Sequence, residues 1–134
     1  MEYVQGRQQG KPSRAGEGTF TGRAMLDPVL ADADGDAATV RVNSVIFEPG
    51  GRTHWHSHAN GQVLLVASGS GMVENRDGDR HALHPGDVVW APPGEEHWHG
   101  AAPDSFVVHT AVSLGVTQWL GEVAADRYQA AFRE

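Results

Sequence analysis

Three histidines and one glutamine have the residue types and the spacing of a metal site. His56 and His58 stand two residues apart, Gln62 follows a short turn, and His97 comes thirty-five residues after Gln62. Side chains two residues apart on a β-strand project from the same face, so the first two imidazoles can converge. The Gln62 amide oxygen can reach the same point, and a Pro/Gly-rich turn at 92–96 can bring His97 from another strand. The sequence therefore predicts a metal bound by these four side chains.

Three imidazoles and one oxygen form a borderline-to-hard donor set. It suits Mn²⁺, Fe²⁺, Co²⁺, Ni²⁺ or Zn²⁺ and has too few carboxylates for Ca²⁺ or Mg²⁺. The chain has no cysteine, which excludes thiolate ligands, a cysteine nucleophile and disulfides. An amide in place of a carboxylate leaves the bound ion with a charge near +2, which strengthens its Lewis acidity and disfavours high-valent iron. Lyase or proton-transfer chemistry therefore fits the site better than dioxygen activation.

Short β-strands must position these ligands. Seventeen glycines and seven prolines in 134 residues indicate many turns and favour an all-β barrel or sandwich of one domain. Alternation and turn signals predict six strands, at Thr39–Phe47, Gly61–Ala67, Gly71–Asn75, Arg80–Leu83, Asp87–Trp90 and Ser105–Val112. After these, apolar residues recur at helical spacing, which predicts a C-terminal helix over 117–134 that Thr117 caps and that packs outside the barrel.

The ends of the chain and its charge narrow the choice of partners. Residues 1–18 predict a flexible arm, because they hold four glycines and three basic residues with almost nothing apolar after Val4. The barrel is then expected over 19–116.

A net charge of −7 argues against nucleic acid or an anionic membrane surface as a partner. No apolar stretch approaches the roughly 20 residues of a membrane span, and no signal peptide is evident, so a cytoplasmic location is expected.

The residues around the four ligands resemble the two motifs of the cupin superfamily. The first motif is matched by the spacing of Gly50, His56, His58, Gln62 and Gly69, with glutamine where the usual pattern has glutamate. The second is matched by Gly86, Pro92, Gly94 and His97, with Ala101 where the pattern usually ends in asparagine. Among cupins, the chain is most similar to small bacterial proteins that include the manganese-dependent hydroxynitrile lyases. The similarity extends towards both ends and covers most of the chain.

This resemblance implies a fold, a cofactor and an activity. The fold would be a single jelly-roll β-barrel with a short C-terminal helix, and the metal would be Mn²⁺. The enzyme would be a lyase that cleaves or forms cyanohydrins of a small substrate, with the metal as Lewis acid and His109 as the base. Asn43 and Val45 would line the pocket, and Asn43 would bring a donor and an acceptor to a wall that is small and apolar in the lyases. N-terminal arms would cross between subunits of a homodimer or a higher even oligomer.

Two further histidines and several other activities stay open at this stage. His99 is in phase with His97 and is expected beside the metal, as a donor behind the ligands. Strand parity turns His54 inward with the ligand pair, whereas a bulge before the pair would turn it to solvent. The same site could serve a decarboxylase, a dehydratase, an isomerase or, as in other cupins, a metal-dependent dioxygenase. A cupin that only binds a small molecule is the non-enzymatic alternative.

Overall fold

A computed structural model describes residues 1–6 and 12–133, which form two antiparallel β-sheets and one short α-helix. The strands, in chain order, are β1 (Arg14–Ala15), β2 (Phe20–Thr21), β3 (Ala24–Ala31), β4 (Val40–Phe47), β5 (Arg52–Thr53), β6 (His56–His58), β7 (Gln62–Gly69), β8 (Gly71–Asn75), β9 (Arg80–Leu83), β10 (Val88–Ala91), β11 (His97–Ala101), β12 (Val107–Leu114) and β13 (Thr117–Trp119). A 3-10 turn covers Gly35–Ala37, and helix α1 covers Ala125–Ala131. The all-β prediction is confirmed.

The two sheets face each other and enclose the core. One has six strands in the order β1-β3-β4-β12-β7-β10, and the other follows β13-β6-β11-β5-β2, with β8 pairing β11 and β9. Small and apolar side chains pack between the sheets at one end, around Phe47 and Val107. Within the described residues, no helix is long and apolar enough to cross a lipid bilayer.

Four rows of side chains cross the inner face of the six-stranded sheet, from β4 through β12 to β7. From the first row to the last, the side chains change from mainly polar to apolar. The rows are Arg41–Ser113–Gln62, Asn43–Ala111–Leu64, Val45–His109–Val66 and Phe47–Val107–Gly69. The first row lies towards an open cavity and the last lies in the apolar core. This gradient leaves one end of the barrel free for a polar site.

All six strands expected from the sequence are present, each within two residues of the expected ends. The eight-residue strand β3 was not among the expected strands, and Pro28 lies inside it. Proline cannot donate to a strand ladder and is found at edges and bulges. Here it lies beyond the two-residue pairing with β1 and next to a register shift against β4, where the ladder is already interrupted.

The C-terminal prediction was wrong in its extent. Thr117 does not cap a helix: it begins strand β13, which pairs with β6, and its hydroxyl contacts the His58 ring. The helix begins only at Ala125, after an extended stretch, and ends at Ala131. Its buried residue Tyr128 packs against Trp98 on the outer side of the seven-stranded sheet. Tertiary pairing with β6 therefore overrides the helical spacing at the start of this segment.

The predicted N-terminal arm is described only in part, since residues 7–11 lie outside the described residues. Arg14–Ala15 pairs with β3 at the edge of the six-stranded sheet. Several residues of this segment line the mouth of the cavity, among them Arg14 and Glu17. The end of the segment expected to be an arm thus belongs to the sheet.

Candidate metal centre

Four histidines converge between the sheets because two neighbouring strands each present a pair. His56 and His58 lie on β6, His97 and His99 lie on β11, and the strands are antiparallel with His97 opposite His56. Alternation along each strand turns both members of a pair towards the interior. All four residues are buried. The ring centroids of His56 and His97 are 4.4 Å apart, and those of His56 and His58 are 5.0 Å apart.

Backbone carbonyls fix the tautomer of two of these rings. The Nδ1 atom of His56 lies 2.9 Å from the carbonyl oxygen of His54, and that of His97 lies 3.0 Å from the carbonyl oxygen of Glu95. A carbonyl oxygen only accepts, so Nδ1 carries the proton in both rings. The Nε2 lone pairs therefore point away from these carbonyls. A hydrogen bond from the second ring nitrogen is the usual support of a metal-binding histidine.

His58 has the same arrangement with a side-chain partner. Its Nδ1 atom lies 3.0 Å from the hydroxyl oxygen of Thr117 on β13. Its Nε2 atom is buried and has no hydrogen-bond partner among the described residues. Buried polar atoms are nearly always hydrogen-bonded, so an unpartnered nitrogen indicates a missing ligand or ion.

Gln62 presents its oxygen to an atom that also accepts. Its amide nitrogen donates to the hydroxyl oxygen of Ser113 at 3.1 Å, which turns Oε1 towards His97, at 2.9 Å from Nε2. With the His97 proton held on Nδ1, two lone pairs face each other in a buried place, which is repulsive. A divalent cation bound between them makes both contacts favourable. The residues present therefore fit a metal ion.

Burial keeps these imidazoles neutral. Desolvation is the main cause that lowers the pKa of His56 and His97, and it lowers the pKa of His58 to about 4, with neighbouring His97 contributing. The Arg41 guanidinium adds a smaller lowering effect on the His58 pKa. Only a neutral imidazole binds a metal ion, so the rings are in the ligating form at neutral pH.

One cluster of donor atoms includes a histidine that the sequence placed behind the ligands. Ligand atoms of His56, His97 and His99 all lie within 4.8 Å of one another, and these residues could hold a metal ion. The predicted set shares two of them. It replaces His99 with His58, and it adds Gln62, whose amide oxygen approaches His97. The two sets differ in which histidine, on β6 or on β11, completes the centre.

His99 and His109 form a hydrogen-bonded pair of imidazoles. His109 Nε2 lies 3.0 Å from His99 Nδ1, and the ring centroids are 4.7 Å apart. The outer nitrogens, His99 Nε2 and His109 Nδ1, are buried and have no hydrogen-bond partner among the described residues. Desolvation lowers the pKa of His99 far below its ordinary value and that of His109 to about 4. One proton joins the rings, and it can lie on either side.

The expected base, His109, does not reach the cavity. It is fully buried on β12, and His99 lines the cavity in front of it. His97 likewise lies behind the cavity surface, although its position at the centre agrees with the prediction. The sequence placed His109 on the inner face of its strand correctly. It could not show that a histidine from the other sheet would stand in between.

The cavity has a volume of about 820 Å³ and reaches the ligands from the mouth of the barrel. Asn43 and Val45 line it, as the resemblance implied. Aromatic rings of Phe20, Phe47 and Trp119 form much of its remaining wall, and Trp119 packs on His56 with ring centroids 4.6 Å apart.

His54 is not a pocket residue, so the inward alternative was wrong. The strand is interrupted between Thr53 and His56. Trp55 packs with Trp98 in a second apolar cluster, on the outer side of the seven-stranded sheet. Because of this break, His54 does not lie on one continuous strand with His56 and His58, so alternation does not turn its ring inward. The His54 ring approaches Glu122 instead, with Nε2 at 3.9 Å from Oε1. Only its carbonyl supports the centre.

Three residues of the site were missed by the sequence reasoning. Ser113 orients Gln62, Thr117 holds His58, and Arg41 lines the cavity. Ser113 is four residues from His109, and Arg41 is two residues from Asn43. The alternation of side chains along a strand could therefore have placed both on the inner face. Ser113 fell just beyond the expected end of β12. For Thr117 the signal pointed to a helix cap instead.

Comparison with known proteins shows the family of the chain. A family model described as a cupin domain matches residues 43–112, a range that includes all four predicted ligands. The chain belongs to the cupin family. An (R)-mandelonitrile lyase from Granulicella tundricola is 42% identical over 114 residues, which cover 82% of this chain and 86% of that protein.

Solved structures extend the same family result. A cupin-like protein from Thermotoga maritima superimposes with a TM-score of 0.79 at 36% identity, over 98% of this chain and 96% of that one. The polyketide cyclase RemF from Streptomyces resistomycificus gives a TM-score of 0.69 at 19% identity, over 96% and 92% of the two chains. The second similarity supports the fold alone.

Proposed function

We propose that this cupin is a metal-dependent lyase that cleaves and forms cyanohydrins, with His56, His58, Gln62 and His97 as ligands. The observation that carries the proposal is the buried contact of 2.9 Å between His97 Nε2 and Gln62 Oε1, which a divalent cation bound by both atoms would make favourable. The identity of 42% with an (R)-mandelonitrile lyase supports the choice of reaction. The ion we propose is Mn²⁺, and Fe²⁺, Co²⁺, Ni²⁺ and Zn²⁺ suit the same donors.

The ligand set favours Lewis-acid chemistry. When bound, a divalent ion polarises a substrate oxygen and stabilises the negative charge that develops on it. Gln62 contributes no charge, and the three imidazoles are neutral because burial lowers their pKa values. Ser113 keeps the amide oxygen turned inward, since it accepts from the amide nitrogen at 3.1 Å.

His99 is assigned to the proton rather than to the metal. It lines the cavity, and it has an imidazole partner in His109 that can take or return the proton on Nδ1. His58 shares an unpartnered buried Nε2 with His99, but its Nδ1 contacts the Thr117 hydroxyl group rather than a second imidazole. A proton carrier needs a partner that can take up and return a proton near neutral pH, which an imidazole does and a hydroxyl group does not. This difference favours His58 as the third imidazole ligand.

His99 and His109 can carry every proton that the reaction moves. His99 Nε2 takes the proton of the substrate hydroxyl group, and the Nδ1 proton can shift to His109, so the positive charge is shared by two rings. The C–C bond to the nitrile breaks, its electron pair leaves with cyanide, and a carbonyl group forms. The proton then returns through His99 to cyanide, which leaves as hydrogen cyanide. The aromatic wall of Phe20, Phe47 and Trp119 gives the rest of the substrate an apolar surface.

Metal analysis combined with a cyanohydrin assay tests the proposal. The protein is purified without added metal salts, its metal content is measured, and cleavage of racemic mandelonitrile is followed by the release of benzaldehyde. We expect about one ion per chain and cleavage that a chelator abolishes and Mn²⁺ restores. His81→Ala is the control, because His81 is exposed and pairs with Asp79 away from the cavity. Metal without cleavage would leave the centre in place and remove the cyanohydrin reaction.

We also propose that the chain forms a homodimer through the outer face of the six-stranded sheet. Ile46, Leu65, Val88 and Trp90 are exposed on that face. The four eight-residue strands and the four-residue strand β10 give a face of roughly 600 Å², somewhat below the ~800 Å² per partner of a stable interface. Light scattering on Trp90→Glu tests this. We expect a dimer in the parent and a monomer in the variant, and a monomeric parent would contradict the proposal.

A further inference from the structure

The charges around the cavity are unevenly distributed. Five charged residues line it, and four of them, Arg14, Glu17, Asp34 and Asp36, are exposed at its mouth. Arg41 is the exception, since it is half-buried. Within the described residues, no carboxylate lies within 4.0 Å of its guanidinium nitrogens, and one nitrogen donates to the carbonyl oxygen of Gly35. A guanidinium has five N–H donors, so several remain for a further partner.

Arg41 stands in the same row of the sheet as Gln62. Both residues pair with Ser113, which lies between them on β12. Neighbouring strands are about 4.8 Å apart, so the Cα atoms of Arg41 and Gln62 are about 10 Å apart. Asn43 lies two residues further along β4 on the same face and also lines the cavity. One small molecule can therefore contact the metal ligands at one end and Arg41 at the other.

We propose that Arg41, together with Asn43, binds a carboxylate group of the substrate. The substrate class is then a small hydroxy compound that carries a carboxylate at the end away from the reacting carbon. This inference rests on the proposed function for the hydroxyl end. A planar guanidinium matches a carboxylate with two parallel hydrogen bonds, and partial burial strengthens that contact. Asp34 and Asp36 flank the Gly35 turn, but their exposure leaves their charges screened by solvent.

Binding of matched acids and amides tests the proposal on the metal-loaded protein. The probes are glycolate, 3-hydroxypropanoate and 4-hydroxybutanoate, each with its neutral primary amide, and the dissociation constants are measured by NMR titration. We expect at least one acid to bind roughly 10- to 100-fold more tightly than its amide. Arg41→Met should remove that preference, and Arg41→Lys should retain part of it.

Controls separate recognition from folding. Arg23→Met removes an exposed arginine that pairs with Glu48 outside the cavity, and it should leave the preference unchanged. Metal content and melting temperature are measured for every variant, so that a collapsed Gly35 turn is not mistaken for a lost ligand contact.

The outcomes distinguish this inference from the proposed function. A parent protein that binds acid and amide equally, or binds neither, overturns the role of Arg41, even if mandelonitrile is cleaved. An acid preference that survives Arg41→Met also overturns it. An Arg41-dependent preference in a protein that cleaves no cyanohydrin supports the carboxylate site and rejects the cyanohydrin reaction.

Discussion

Strand β11 carries buried polar contacts on both of its sides, and the two sides differ in how their polar atoms are satisfied. His97 and His99 face the space between the sheets, and Trp98 faces the opposite side, where it meets Glu74 of the paired strand β8. Both Glu74 and the histidines are almost completely buried. One strand therefore supports two buried polar clusters in the same protein.

The outer cluster is complete. The Glu74 carboxylate accepts from Trp98 Nε1 at 3.0 Å and from Arg127 Nε at 3.1 Å, and Arg80 lies 3.7 Å away. Arg127 also donates to the carbonyl oxygen of Asn75. These bonds attach helix α1 to the sheet. Every charge in this cluster has an opposite charge or a donor beside it.

The inner cluster is incomplete. Among residues 1–6 and 12–133, the Nε2 atoms of His58 and His99 and the Nδ1 atom of His109 have no hydrogen-bond partner, and an amide oxygen faces an imidazole nitrogen. A stable protein seldom leaves so many buried polar atoms unsatisfied without a reason. The comparison teaches that burial of polar groups alone does not indicate function, whereas several unpartnered ring nitrogens gathered between two strands indicate a binding site.

Removal of a ligand should have the largest effect. His97→Ala takes away one of the two imidazoles that both candidate ligand sets share, so metal and cyanohydrin cleavage should be lost together. The expected fall in turnover is more than about 10⁴-fold, which exceeds the loss of a proton carrier. Elemental analysis and the mandelonitrile assay on the same sample check this. A variant that keeps a full complement of metal would exclude His97 from the centre.

The next effect separates ligand from proton carrier. His58→Ala should lose metal, whereas His99→Ala should keep it while turnover falls by about 10²–10⁴-fold. His109→Ala should keep metal and lose about 10–100-fold, because His109 acts through His99. Metal content and turnover of the three variants decide the assignment. Loss of metal in His99→Ala with retention in His58→Ala would favour His56, His97 and His99 as the ligands.

On the outer side, substitution should affect stability alone. Glu74→Ala leaves the buried Trp98 Nε1 and the partly exposed Arg127 without their acceptor, which should lower the free energy of unfolding by about 1–3 kcal/mol. Chemical denaturation measures this, and metal content serves as the matched readout. A Glu74→Ala protein that is as stable as the parent but depleted of metal would reverse the distinction between the two sides.

Acid should weaken the inner cluster in the metal-free protein. The pKa values of His58 and His109 are about 4 in the folded state, below the ordinary value of about 6.5 that applies to the unfolded chain. The folded state then binds fewer protons. The stabilisation is present above pH 6.5 and is lost as the pH falls from 6.5 to 4, by about 3 kcal/mol for each residue.

Denaturation in chelator at several pH values across this window tests the prediction. His109→Phe keeps a ring but cannot titrate, and it should show a smaller loss than the parent. A free energy of unfolding that is constant from pH 6.5 to pH 4 would contradict the folded pKa values of both histidines.

The smallest effect is expected from a change of ligand charge. Gln62→Glu adds a negative charge beside the metal, which should tighten binding of the ion and weaken its Lewis acidity. We expect full metal content, slower loss of metal to a chelator, and turnover reduced by about tenfold, or about 1.4 kcal/mol in the barrier. If this variant bound no metal, Gln62 would have a role other than ligation.

Much of the site followed from local patterns in the sequence. A histidine pair two residues apart, an amide after a turn and a histidine after a Pro/Gly-rich turn were sufficient to place His56, His58, Gln62 and His97 close together. The six expected strands followed from alternation and turn residues in the same way. Period-two patterns are local, so a single sequence carries them.

The parts that failed depend on contacts between distant segments. β3 contains Pro28, which is tolerated only because of a register shift against β4. Thr117 lies in a strand that pairs with β6 rather than in a helix. His54 is displaced because Trp55 packs with Trp98 on the outer side of the seven-stranded sheet. His99 stands between His109 and the cavity because strands β11 and β12, which belong to different sheets, face each other there. No spacing along the chain records these relations.

The central claim is that the unsatisfied inner cluster is a metal centre, and crystallographic anomalous scattering tests it most directly. Crystals of protein purified without added metal, measured at the absorption edges of manganese, iron, cobalt, nickel and zinc, should show one peak between His56, His97 and Gln62. The same measurement on His97→Ala should show none. A parent protein that cleaves mandelonitrile without any anomalous peak at this position would contradict the account.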